Sequence, residues 1–135
     1  MGNIGIGAMP GYLGGNEETV NTLNASYGKV IKKVEMIDDE LLFDFEDGKK
    51  IKLFDDGQSC CENRYMVTDD KLEDFSGSVF VEAELRDAPN EPGEYGEHEV
   101  QFLVIKTSKG EFTCATHNEH NGYYGGFGVV CRPVE

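Results

Sequence analysis

From Lys29 onward the chain is written in short apolar segments that alternate with polar residues and are cut by turn signals. The clearest instance is Leu41-Leu42-Phe43-Asp44-Phe45, then Glu46-Asp47-Gly48, then Ile51-Lys52-Leu53. Strand side chains alternate between faces, so the register of this hairpin decides whether an apolar face exists at all. A three-residue loop with Gly48 in the left-handed region pairs Phe43 with Ile51 and Leu41 with Leu53, all on one face. A two-residue Asp47-Gly48 turn instead opposes Phe43 to Lys52. The three-residue loop is the expectation. Val30, Val34 and Met36 add a strand before it, with Asp38-Asp39 as the connecting turn.

Farther along, residues 78–85 and 111–116 have strand patterns, and residues 99–107 give the strongest strand. It carries Val100, Phe102 and Val104 on one face and Leu103 and Ile105 on the other, the signature of a central strand covered on both sides. Asn121-Gly122 is a hairpin signal leading into residues 127–132. Acids following Thr68 predict one short helix at about residues 69–75, with Thr68 or Asp69 as its N-cap. The segment from Asp87 to Gly96, with Pro89, Pro92 and Gly93, is expected to be a long exposed loop. The sum is a mainly β fold: an antiparallel sheet forming a small sandwich or partly open barrel with one short helix. Residues 29–135 form this single β domain. Residues 1–28, punctuated by glycines and Pro10, are expected to be a flexible Gly-rich N-terminal arm.

The chain has 26 acidic and 12 basic residues, a net charge of −14. That balance argues against direct nucleic-acid binding, which needs a clustered basic face, and against an anionic membrane surface. It suits a well-solvated surface, and also an acidic face that occupies a basic groove on a partner protein. No apolar run approaches the ~20 residues of a membrane helix, and no secretory signal opens the sequence. A reducing cytoplasm is the expected compartment, with the four cysteines as thiols.

Two dense clusters carry the candidate site. Residues 117–127 concentrate His117, Asn118, His120, Tyr123 and Tyr124, and residues 58–65 hold Cys60, Cys61, Arg64 and Tyr65. If Asn121-Gly122 is a two-residue turn, His120 opposes Tyr123 and Glu119 opposes Tyr124. Cys114 then faces Val129 and Cys131 faces Phe112, so the two thiols are diagonal neighbours, too far apart for a disulfide and best placed as buried small hydrophobes. The expected ligand- or partner-binding residues are Arg64, Tyr65, Asn118, His120, Tyr123 and Tyr124, with the two clusters forming one surface. Adjacent Cys60 and Cys61 point to opposite sides of an extended segment, which disfavours chelation by both. A zinc site mixing Cys60 or Cys61 with His117 or His120 remains the metal alternative. A cysteine nucleophile with a histidine base, oriented by Asn118 or Glu119, is the thiol-enzyme alternative. No catalytic residue and no cofactor is assigned.

These elements resemble a family of small phage- and prophage-encoded proteins of unknown function. The resemblance lies in Gln58-Ser59-Cys60-Cys61-Glu62 followed by an aromatic strand, in Leu72-x-x-Phe75-x-Gly77-Ser78, and in the closing Asn121-Gly122-Tyr123-Tyr124. It covers roughly residues 29–132 and departs at Tyr124-Gly125-Gly126-Phe127, where the family pattern has a serine and an acid. It implies an all-β fold and a viral accessory setting, and no activity, catalytic residue or cofactor. The expectation is a non-enzymatic accessory binding protein in the host cytoplasm. It recognises a host protein or sequesters a small nucleotide-like ligand, a role that includes counter-defence. The alternatives are a metal-dependent or thiol enzyme and a structural virion component.

Overall fold

The computed structural model describes residues 4–5, 17–55, 62–87, 91–92, 97–120 and 128–134. Within them, eight strands of six residues or more and two two-residue strands form two antiparallel sheets. The mainly β fold is a small sandwich rather than a closed barrel.

The first sheet grows from the meander predicted above. Strands β2 (Ile31–Ile37), β3 (Glu40–Phe45) and β4 (Lys50–Asp55) pair in sequence, and β10 (Val129–Val134) adds to the free side of β4. Asp38 and Asp39 turn β2 into β3 with φ of 50° and 66°, the positive values that a two-residue primed turn demands. Between β3 and β4 the expected register holds, with Leu41 opposite Leu53 and Phe43 opposite Ile51. Gly48 sits at φ 89°, and the Phe45 amide donates to the Lys49 carbonyl at 2.9 Å to close the loop.

The second sheet has the order β1–β6–β8–β9–β5, from strands Ile4–Gly5, Phe80–Asp87, Glu97–Thr107, Gly110–His120 and Glu62–Val67. Strand β8 is central, as expected. A two-residue β7 (Glu91–Pro92), inside the segment expected to be a loop, pairs with the start of β8. The sheets meet at a hydrogen-bonded corner: Ile31 N–H donates to Ser78 O at 2.8 Å, and Gly77 N–H to Ile31 O at 2.7 Å. Between the sheets Phe43 stacks on Phe80 at 5.0 Å and on Phe45 at 5.9 Å, with Phe112 at 6.4 Å. Each of these rings is almost wholly buried, and each contributes on the order of 1.5–3 kcal/mol by leaving water.

Three expectations need correction. The arm expected over residues 1–28 contains a ten-residue helix, α1 (Glu17–Ser26). Thr19, Leu23 and Ser26 recur at helical spacing on its buried face. The Thr19 hydroxyl accepts the Cys131 amide at 3.0 Å, satisfying an outer-edge donor of β10. Glu17 and Glu18 in the first turn suit the helix dipole.

The helix expected at 69–75 is only a 3-10 turn, Leu72–Phe75, and Lys71 at its N-cap makes no side-chain cap. Thr68 and Asp70 instead extend the ladder beyond the end of β5. The Thr68 hydroxyl donates to Thr113 O at 2.7 Å, and Asp70 Oδ2 accepts from Thr113 N–H at 2.9 Å. Side chains that favour caps here serve a neighbouring strand, a competition open to Thr and Asp anywhere.

The hairpin pairing of residues 111–116 with 127–132 does not form. Both edges of β9 are taken, by β8 and by β5, and β10 pairs with β4 in the other sheet. Cys114 therefore opposes Leu103, and Cys131 opposes Leu53. Both are buried free thiols, as expected, although the reason is their placement in different sheets.

Candidate functional site

The two clusters are brought together by direct strand pairing. In the β5–β9 ladder Glu62 opposes His120, Asn63 opposes Glu119, Arg64 opposes Asn118 and Tyr65 opposes His117. Their alternation then divides them. Tyr65 and His117 lie on the outer face, their rings stacked at 4.7 Å and 9° apart, and the tyrosine hydroxyl donates to Glu119 Oε2 at 2.8 Å. Arg64 and Asn118 point the other way, between the sheets. Of the expected binding residues that are described, Tyr65 thus lies on one face of the sheet and Arg64 and Asn118 on the other. Cys60, Cys61, Tyr123 and Tyr124 lie outside the described residues, as does the side chain of His120.

The inward face is the more unusual. On β8 the core-facing positions run Ile105, Leu103, Gln101, Glu99; on β9 they run Phe112, Cys114, Thr116, Asn118. On β5 Met66 gives way to Arg64, and on β4 Leu53 gives way to Asp55. Four strands from both sheets change from apolar to polar at the same end of the sandwich. There Arg64 Nη1 donates to both oxygens of Asp55 at 2.9 and 3.0 Å, and Asp55 also accepts the Gly128 amide at 3.3 Å. Asp55 and Arg64 come from opposite sheets, so this ion pair spans the interior.

Gln101 and Thr116 are register partners, 5% and 0% exposed. The Gln101 Oε1 and Thr116 Oγ1 atoms are buried and have no hydrogen-bond partner among the described residues. Burying a polar atom unpaired costs ~1–3 kcal/mol, so native structures keep few of them. A hollow of about 200 Å³ opens against the Arg64–Asp55 pair and is rimmed by Asp38, Asp39 and Glu40. Among the described residues no three His, Cys, Asp or Glu side chains converge as a metal-binding group.

Asp55, Gln101 and Thr116 were not among the residues singled out from the sequence. Their signal was present: Glu99 and Gln101 share the parity of Leu103 and Ile105, and Thr116 shares that of Phe112 and Cys114. Polar residues that prolong a core face mark a place where the core stops being hydrocarbon.

Residues 24–130 match the family model described as a domain of unknown function, DUF7448. The chain belongs to the DUF7448 family. Neither comparison, with curated proteins or with solved structures, gives a match. The DUF7448 span begins in the last turn of α1 and ends inside β10, so it includes all four strands that build the polar end. No helix among the described residues of this DUF7448 protein is long and apolar enough to cross a membrane.

Proposed function

We propose that this protein is a non-enzymatic binding module that captures one small polar ligand at the polar end of its sandwich, between β4, β5, β8 and β9. The observation that carries this reading is the pair of buried oxygens on Gln101 and Thr116 that have no hydrogen-bond partner among the described residues, set beside a charged pair. Gln101 Oε1 accepts a ligand N–H or O–H, and the Thr116 hydroxyl both accepts and donates. Arg64 supplies positive charge, already balanced by Asp55, so the ligand is neutral or modestly anionic at that contact. A nucleotide-like molecule has this mixture of ring donors and anionic groups. In the phage or prophage setting that the sequence motifs imply, such capture sequesters a signal in the host cytoplasm.

A host protein is the second reading. Net charge of −14, with Asp38, Asp39 and Glu40 together at one turn, favours a partner with a basic groove.

Native mass spectrometry of protein isolated without unfolding tests the first reading. One added small-molecule mass per chain is expected. A bare-chain mass, together with a long-lived water seen by NMR on the Thr116 hydroxyl, would show that solvent alone satisfies these atoms.

A further inference from the structure

A second cleft, at the opposite end of the β4–β10 pair from Asp55, has a different chemistry. It measures about 650 Å³ and lies between α1, the β3–β4 turn and the end of β10. That volume is typical of sites for small molecules. Ile51, Pro133, Val134 and Ala25 give it an apolar floor, and Lys29, Lys49 and Lys50 stand at its rim. In a chain with more than two acids per base, three lysines line one opening.

Lys29 is engaged with Asp47 at 2.8 Å. Lys49 and Lys50 are exposed and form no salt bridge among the described residues, although Lys49 also acts electrostatically on Asp47. Asn21 and Thr22 of α1 line the same cleft and add polar contacts. Lys50 is held in β4 between Asp44 and Val134, and Gly48 closes the adjoining turn with φ of 89°.

We propose that this cleft binds a small organic anion that carries an apolar or aromatic body, with Lys49 and Lys50 on the anionic group and the body against Ile51, Pro133 and Val134. The site is independent of the polar end, so either can stand without the other. An anion approaches a chain of charge −14 against long-range repulsion, and only local positive charge combined with apolar burial holds it. Binding therefore needs both halves of the ligand.

Phenyl phosphate is a suitable probe, titrated into the ¹⁵N-labelled full chain and followed by amide chemical shifts. Inorganic phosphate and benzyl alcohol supply the two halves separately. The expected result is saturable shifts confined to Lys49, Lys50, Ile51, Val134 and residues 21–26 of α1, with each half alone binding more weakly. The Lys49→Ser/Lys50→Ser double variant, altered only at exposed side chains, is expected to weaken binding about tenfold or more. Shifts that do not saturate at millimolar probe, that map elsewhere, or that persist unchanged in the double variant would overturn the proposal.

Discussion

Asp55 and Arg64 are joined across the space between the two sheets, 2.9 Å at their closest, with side chains only 5% and 8% exposed. Their strands belong to different sheets, so the pair ties the two layers together where the apolar core ends. The cost of stripping water from two charges is large, and a pair of this kind is worth much only while both members are present.

Removing one member is therefore the severe change. Arg64→Met leaves the Asp55 carboxylate buried without its cation and is expected to lower stability by ~3–5 kcal/mol. The Arg64→Met/Asp55→Leu double variant is expected to recover most of that loss. Urea unfolding of the four proteins measures the coupling, and strictly additive losses would show that the two side chains act separately.

Cys114 and Cys131 have thiol pKa values pushed up to about 12 by burial. The reactive thiolate is then roughly a thousandfold scarcer than in an ordinary cysteine. Both are expected to resist iodoacetamide at about pH 8 in the folded protein and to react once it is unfolded in urea. Peptide mass mapping resolves each site, and prompt native alkylation of either would contradict its placement in the core.

Glu84 sits almost buried on β6, with Lys106 Nζ at 2.8 Å and Arg86 Nη2 at 2.9 Å from the same carboxylate oxygen. The Lys106 hydrogen bond, joined by that of Arg86, outweighs burial and holds the carboxyl below its ordinary value. A lowered folded pKa means the stabilisation is complete above the unfolded value, about 4.5, and fades as pH falls through the folded one. Glu84→Gln lacks that dependence. The stability difference between the native chain and Glu84→Gln is expected to shrink as pH falls below about 4.5, and a constant difference in urea midpoints would contradict it.

How much of this was legible in the sequence differs by element. The β3–β4 register followed from apolar parity and one glycine, Gly48, because both constraints are local and agree. The nearness of residues 62–65 to 117–120 was also anticipated, but for an unrelated reason: β9 does not pair with β10, and β5 pairs with β9 instead. An Asn-Gly pair reports a local turn preference, and it carries no information about whether a strand already has two neighbours. Helix α1 was missed because its buried stripe contains a single large apolar residue, Leu23, between Thr19 and Ser26. The polar end was overlooked because Gln101 and Thr116 look like solvent-facing strand residues until their parity is compared with Leu103 and Cys114.

Thr116→Val offers the most direct test of the polar end as a ligand site, with thermal unfolding and native mass measured on the same samples. The substitution removes a buried hydroxyl that has no hydrogen-bond partner among the described residues and keeps the side-chain shape. The ligand-free variant should be as stable as the ligand-free native chain, or more stable by up to ~1 kcal/mol, while retaining no small molecule. A variant that keeps the molecule, or one destabilised without ever losing a bound mass, would contradict the account.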